Sequence, residues 1–348
     1  MNVRIGIMGF GRIGRNIFRI VYPRDDIEVS AIVDVADPKG LEYLLKFDTV
    51  HGRFRDPVSV VGSAMYVKGR QIQMITAKEP GDVDWGALGV DLVVEATGKY
   101  RTREMLRRHL DKGAHAVILC YPPKTPEDVD ALVVTGVNDD ILEAGHRIVS
   151  NGSCTINALA PILRLLDDNF GVAHAVMTSV HAYTNGLRLA DVPGADLRRS
   201  RAAAENIIPT STYSPAGIGR VLPELEGKLE GMALNVPVPD GSNIDLTCLL
   251  ERDVKREEIN EVVRSAAKTT YASIVEYSED AVVSSDIIGN SHSAIFDSLC
   301  TLVIGGNLAK SVIWYDNGWG YATRVVELIT RILGLRDAAP RPAGGGRR

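Results

Sequence analysis

Residues 3–34 constrain the fold most. Val3, Ile5 and Ile7 alternate as a short strand, and Gly9-Phe10-Gly11-Arg12-Ile13-Gly14 follows at once. The pattern then predicts a helix over 12–22 and a second strand over 27–33 that ends in Asp34, 20 residues beyond Gly14. Such a glycine triplet is weak on its own. Between a strand and a helix, with an acid closing the next strand, it has the full context of a dinucleotide-binding turn. Gly9 permits the tight turn, Gly11 lets the backbone approach a pyrophosphate, and Gly14 lets helix pack on strand. The helix N-terminus faces the anion. Asp34 would accept hydrogen bonds from ribose hydroxyls and repel a 2′-phosphate, which favours NAD over NADP.

The alternation continues with a helix near 41–46, a hairpin over 58–75, strands at 92–96, 116–120, 132–134 and 148–150, and a helix at 101–112. This predicts a Rossmann-type doubly wound parallel sheet whose ligands lie at the carboxyl ends of its strands. Longer strands follow at 172–181, 232–238, 243–250 and 310–315, with helices at 255–270 and 319–333, and they predict an α+β domain with a mainly antiparallel sheet. The expected division is 1–152, completed by a helix at 319–334, then 153–318, with a disordered tail at 336–348. A chain of 348 residues, 45% hydrophobic, can build two cores. A net charge of −5 gives no support for a nucleic-acid or membrane-surface partner. No apolar run approaches the ~18 residues of a spanning helix. Cys120, Cys154, Cys248 and Cys300 have no metal-ligand spacing, so no metal is expected, and they suit reduced thiols in a cytoplasm.

Ser150-Asn151-Gly152-Ser153-Cys154-Thr155-Ile156-Asn157 interrupts the apolar runs just where a helix over 154–170 should begin. A thiol in a first helical turn faces free N–H groups and the positive end of the helix dipole, both of which favour thiolate. An isolated cysteine is usually a small buried hydrophobe, but the polar neighbours Asn151, Ser153, Thr155 and Asn157 argue for a nucleophile. His181, 27 residues further on, supplies a base. Cys with His is the minimal pair for covalent catalysis.

Several longer motifs then occur in order: Gly-Phe-Gly-Arg-Ile-Gly-Arg at 9–15, Lys46-Phe47-Asp48-Thr49 with His51-Gly52-Arg53-Phe54, Ser-Asn-Gly-Ser-Cys-Thr at 150–155, Asp196-Leu197-Arg198-Arg199, Ile207-Ile208-Pro209-Thr210-Ser211-Thr212 and Trp314-Tyr315-Asp316-Asn317. Together they cover nearly the whole chain and resemble the glyceraldehyde-3-phosphate dehydrogenase family, which includes erythrose-4-phosphate dehydrogenase. The resemblance implies a homotetramer, NAD, and oxidation of a small aldehyde through a thiohemiacetal and a thioester, with 153–318 as the catalytic and tetramerisation domain. It also implies Cys154 as nucleophile and His181 as base, Arg12 and Ile13 at the pyrophosphate, and Asp34 with Val192-Pro193 at the adenosine ribose. Asn317 and Tyr321 would lie at the nicotinamide. Tyr183 to Arg201 resembles the loop that family tetramers pack against a neighbour's cofactor.

The departures from the family cluster at the substrate. Asn235 stands where an arginine normally grips the substrate phosphate, and Gly186 where an acid follows Thr184-Asn185. Tyr213-Ser214-Pro215-Ala216 replaces glycine-alanine-alanine-lysine in a loop that cups inorganic phosphate. Cys120-Tyr121-Pro122 replaces serine-alanine-proline, Lys78 an arginine and Gly318 a glutamate. Ser153, Thr155, Thr184, Arg198, Thr212 and Tyr213 remain as candidate substrate contacts. Three readings are open: the phosphorylating family reaction with another cation such as Arg220 in the arginine's place; oxidation of a different small aldehyde with release by water; and a redox sensor that uses Cys154 without turnover.

Overall fold

The structure is a computed structural model and describes residues 3–338. Strands β1 (Val3–Met8) and β2 (Ile27–Asp34) flank α1 (Arg12–Val21). Next come α2 (Pro38–Lys46), a small ribbon of β3 (Phe47–Asp48) and β4 (Gly52–Arg53), and the strands β5 (Val58–Val61), β6 (Ala64–Val67) and β7 (Arg70–Thr76). β8 (Leu92–Glu95), α3 (Arg103–Asp111), β9 (Ala116–Leu119), β10 (Ala131–Leu132) and β11 (Ile148–Ser150) complete this half. Apart from the ribbon, these strands form one nine-stranded sheet in the order β10-β11-β9-β8-β1-β2-β7-β6-β5. Every pairing from β10 to β7 is parallel, and only β6 and β5 run against their neighbours. The chain leaves β1 towards β2 and returns on its other side as β8, so the order reverses at the glycine turn. In open α/β sheets, such a switch point forms the ligand crevice.

A parallel sheet must be covered on both faces, which is why its strands read as near-continuous apolar runs. On one face Ile5, Ile7 and Ile32 pack with Phe18 of α1 and with Val325 and Ile329 of α7 (Trp319–Ala338). On the other, Met8, Val33 and Val93 pack with Trp85 and Tyr100.

The second half holds α4 (Cys154–Phe170), β12 (Val172–Ala182), β13 (Ile208–Thr210), α5 (Ser214–Val221), β14 (Leu229–Val236), β15 (Ser242–Leu250), α6 (Arg256–Lys268), β16 (Val275–Ser278), β17 (Ala294–Ile304) and β18 (Leu308–Tyr315). Its seven strands lie in the order β13-β14-β12-β15-β18-β17-β16. The sheet is mainly antiparallel, with parallel pairings only between β12 and β14 and between β16 and β17. Leu159, Leu163, Ile218 and Val263 of the three helices pack on it with Ile244, Leu246 and Ile313. α7 then carries the chain from the second sheet back onto the first.

Three expectations are corrected, and one long strand is added to them. The segment 58–75 is a three-stranded meander rather than a hairpin, because the chain turns a second time at Lys68-Gly69, both with positive φ. Tyr213–Ala216 is not a loop: α5 starts at Ser214 with Pro215 in its first turn, where a missing N–H and a preset φ suit a helix. β17 went unread because Asp297-Ser298 and Cys300-Thr301 break its apolar pattern. α7 runs to Ala338, through the first three positions of the expected tail, and 339–348 lie outside the described residues.

A buried polar chain braces the first sheet where it approaches the crevice. Trp85 Nε1–H donates to His109 Nδ1 at 3.0 Å, so His109 holds its proton on Nε2, 3.2 Å from Glu95 Oε2. The other Glu95 oxygen accepts from the backbone N–H of Thr97 at 2.9 Å and from its hydroxyl. Glu95 and His109 are both fully buried. His109→Leu strands the Glu95 carboxylate and should cost about 3–5 kcal/mol, read from the shift of the urea midpoint. A loss below about 1 kcal/mol would show that the pair is not what satisfies Glu95.

Candidate active site

A cleft of about 480 Å³ runs along the carboxyl ends of the first sheet to the start of α4 and the end of β12. Its geometry fits a dinucleotide. A Cβ on Gly9, whose φ is 92°, would lie 2.6 Å from Thr97 N, and one on Gly14 would lie 2.2 Å from Gly9 O, so neither position admits a side chain. Gly11 has open space where its Cβ would be, and no side chain caps the N-terminus of α1. Room and free N–H groups therefore coincide where a pyrophosphate would sit. Asp34 closes β2 at the cleft, its carboxylate accepting from Phe10 N at 2.7 Å and Ala36 N at 3.0 Å. Arg12 lines the cleft and crosses to the second half, donating from Nη1 to Pro239 O at 3.0 Å. Ile13, Lys78, Cys120, Asn317 and Tyr321 also line it, and Tyr321 Oη donates to Gly152 O at 3.3 Å.

The polar run at 150–157 builds the turn from β11 into α4. Ser150 Oγ donates to Tyr121 O at 2.7 Å and accepts from Gly152 N at 3.0 Å. Ser153 is the N-cap, accepting from Ile156 N at 3.2 Å. Asn157 Nδ2 donates to Asn151 O at 2.8 Å and to Ser153 O at 2.9 Å. Ser153, a candidate substrate contact, is thus committed to holding the turn together with Ser150 and Asn157. The turn presents Cys154 Sγ 3.5 Å from Nε2 of His181, which projects from β12. His181 Nδ1 donates to Ala182 O at 2.7 Å, and this places the neutral imidazole's lone pair on Nε2, facing the thiol.

Burial pushes the Cys154 thiol up to about 12, against a smaller opposing pull from the hydroxyl and backbone N–H of Thr155. Burial also holds His181 below its ordinary range, opposed by the Ala182 carbonyl. Desolvation thus works against the thiolate that the helix N-terminus favours, and both shifts favour thiol and neutral imidazole over the ion pair.

Thr184 and Gly186 line the outer end of the cleft, with Arg199 Nη2 at 3.5 Å from Gly186 O. Asn235 lies on β14 in register with His181 on β12, one strand away, and is buried. Neither Asn235 nor the remaining candidates line the cleft. Thr155 Oγ1 pairs with Tyr315 Oη at 3.0 Å, Arg198 is exposed with Arg199 on the cleft side, and Thr212 Oγ1 donates to Ser214 Oγ at 3.0 Å. Tyr213 receives Arg220 Nη1 at 3.4 Å, and Arg220 also donates to Pro126 O at 3.3 Å, which commits that cation away from the thiol. Tyr315 was missed as a site residue. Its hydroxyl also meets Ser179 Oγ at 3.0 Å, and its ring lies edge-on to His181, so it supports both members of the pair. Its neighbour Asn317 drew attention in the same motif, but nothing local marks a tyrosine whose partners come from α4 and β12.

The chain is similar to known proteins along most of its length. Residues 3–103 match the family description "Glyceraldehyde 3-phosphate dehydrogenase, NAD binding domain", and residues 153–317 match "Glyceraldehyde 3-phosphate dehydrogenase, C-terminal domain". The chain is 46% identical over 333 residues to the glyceraldehyde-3-phosphate dehydrogenase of Geobacillus stearothermophilus, covering 95% of this chain and 98% of that protein. It is 46% identical over 331 residues to that of Streptomyces coelicolor, covering 94% and 98%, and 47% identical over 339 residues to that of Mycobacterium avium, covering 95% and 99%. The chain belongs to the glyceraldehyde-3-phosphate dehydrogenase family.

Proposed function

We propose that the protein oxidises a small aldehyde with NAD through a thioester on Cys154, with specificity shifted away from glyceraldehyde 3-phosphate. The observation that carries this reading is the 3.5 Å contact between Cys154 Sγ and an unprotonated His181 Nε2 at the inner end of the dinucleotide cleft. The thiol proton passes to Nε2 as sulfur bonds to the aldehyde carbon, giving the oxyanion of a thiohemiacetal and an imidazolium whose N–H faces that oxygen. NAD, when bound, supplies the hydride acceptor that turns the thiohemiacetal into a thioester. Inorganic phosphate or water then displaces the Cys154 sulfur. NADH formation across phosphorylated and unphosphorylated aldehydes, each with and without phosphate, tests the reading. Failure to reduce NAD with any of them would overturn it.

Asn235 is what favours the shifted specificity. A neutral amide stands beside His181, where the family resemblance expects a phosphate-gripping cation, and Arg220 is engaged elsewhere. A charged hydrogen bond contributes about 1.5–3 kcal/mol, so its loss weakens a phosphorylated substrate about tenfold to a hundredfold. Asn235→Arg should lower KM for glyceraldehyde 3-phosphate by about that factor and raise KM for the best substrate, with a smaller change in kcat. If the unmodified protein already turns over the phosphorylated triose at micromolar concentration with strict phosphate dependence, a further cation such as Arg199 grips it.

We infer a cytoplasmic homotetramer. The second sheet exposes Val176, Met232, Leu302 and Ile304, and the 183–201 loop exposes Leu189 and Leu197. All four cysteines are free, and among the described residues no helix is long and apolar enough to cross a membrane. Sedimentation equilibrium at micromolar concentration should return four chains, and a stable monomer would exclude this assembly.

The resting thiol gives a pH prediction. With the Cys154 value near 12, its thiolate fraction grows tenfold per pH unit below that point. The alkylation rate of Cys154 in the cofactor-free protein should therefore climb without a plateau from pH 7 to about 10. A plateau below pH 9 would show that the helix N-terminus outweighs burial. His181→Asn should lower kcat about 10²–10⁴-fold while leaving the thermal midpoint close to that of the parent.

A further inference from the structure

Behind the cleft wall, the fully buried Ser242 opens β15. Its hydroxyl oxygen accepts from Ala182 N at 3.0 Å and donates to Asn317 Oδ1 at 2.7 Å. The backbone N–H of Ala182 can only donate and Asn317 Oδ1 can only accept, so the hydroxyl proton goes to Asn317, while the Tyr315 hydroxyl, a third neighbour of Ser242, is able to donate. That bond turns Oδ1 of Asn317 inward and leaves Nδ2 for the cleft that Asn317 lines. The Asn317 backbone is held as well, its N–H donating to Oδ1 of the buried Asp240 at 3.2 Å. Ala182 is also the residue whose carbonyl fixes the His181 tautomer. One buried hydroxyl thus ties the support of the base to Asn317.

We propose that Ser242 is a positioning residue for cofactor recognition: by holding the Asn317 amide oxygen, it presents an N–H donor to the cleft and selects a cofactor ring that carries a carbonyl oxygen. The inference rests on the reading of Asn317 as the contact to the nicotinamide carboxamide. Without Ser242 the Asn317 amide is free to turn, and the nicotinamide end of the cofactor loses a fixed donor. The adenosine and pyrophosphate end, at Gly11 and Asp34, keeps all of its contacts.

Two probes separate these ends: NAD, and ADP-ribose, which lacks the nicotinamide. Calorimetric titration of Ser242→Ala should show NAD weakened about threefold to tenfold and ADP-ribose unchanged. Equal losses for both, or no loss for either, would overturn the assignment. An unmodified protein that binds neither probe would instead sink the cofactor reading itself. Should Ser242→Ala fail to fold, Asn317→Asp carries the test with the 3-acetylpyridine analogue of NAD, which keeps the carbonyl but has no amide N–H. In that variant Ser242 still holds one oxygen, and the other turns an acceptor towards the cleft. The preference for NAD over the analogue should rise at least threefold, and an unchanged ratio would refute the proposed direction of the amide.

Discussion

Two hydrogen bonds from one amide hold the joint on which both halves of this protein meet. Asn157 reaches back from the first turn of α4 to the carbonyls of Asn151 and Ser153 and so fixes the path from the last parallel strand into the helix. Because α4 belongs to the second core and β11 to the first sheet, Cys154 packs against both cores. This setting explains its chemistry. A thiol between two cores is desolvated, and desolvation raises its pKa, so the helix N-terminus alone does not ionise it. Activation then depends on a base within reach, with its lone pair directed at the sulfur by the Ala182 carbonyl.

The cofactor end of the site is legible in the sequence because it is local. Gly9, Gly11, Gly14 and Asp34 lie on one strand–helix–strand unit, in which Gly9 and Gly14 have no room for a Cβ and Gly11 leaves its side open to a ligand. The candidate nucleophile is legible for the same reason, as a polar run before an apolar helix. The substrate end is not. Asn235 lies beside His181 only because β12 and β14 run parallel in that register, and parallel neighbours are far apart in sequence. A one-residue difference in turn geometry decides that Arg199, not Arg198, faces the cleft. Ser242 and Tyr315 are further cases: each is a buried hydroxyl-bearing residue whose partners come from strands or helices remote along the chain, and composition or periodicity gives no sign of it.

The region behind Asn317 shows how charge is arranged to keep the cofactor wall in place. His51 lies between Asp48 Oδ1 at 3.7 Å and Asp316 Oδ2 at 3.5 Å. Burial pulls His51 down, but Asp316 and Asp48 together push it up to about 9, so it is a cation at neutral pH. A histidine raised in the folded state stabilises that state fully below its unfolded value of about 6.5, and the contribution is lost as pH rises through 9. Asp240 works in the opposite direction. Burial first, and then Asp316, raises it to about 6, so ionising it at neutral pH opposes folding.

That unfavourable carboxylate has a position-specific role. Asp240 Oδ1 accepts from the backbone N–H of Asn317, and its other oxygen has no hydrogen-bond partner. A Cβ on Gly318 would lie 3.4 Å from that free oxygen, 3.5 Å from Asp316 Oδ1 and 2.9 Å from Asn16 Nδ2. The glutamate that the family resemblance expects at this position would bring another carboxylate close to Asp240 and Asp316. Glycine removes that repulsion and leaves Arg12 and His51 as positive charges acting on Asp240. Ser242 fixes which way the Asn317 amide points, while Asp240 fixes where its backbone lies, and the two act on different atoms of one residue. A substitution at Asp240 therefore acts on the backbone of the Asn317 segment, whereas one at Ser242 frees the Asn317 amide and the backbone N–H of Ala182 beside His181.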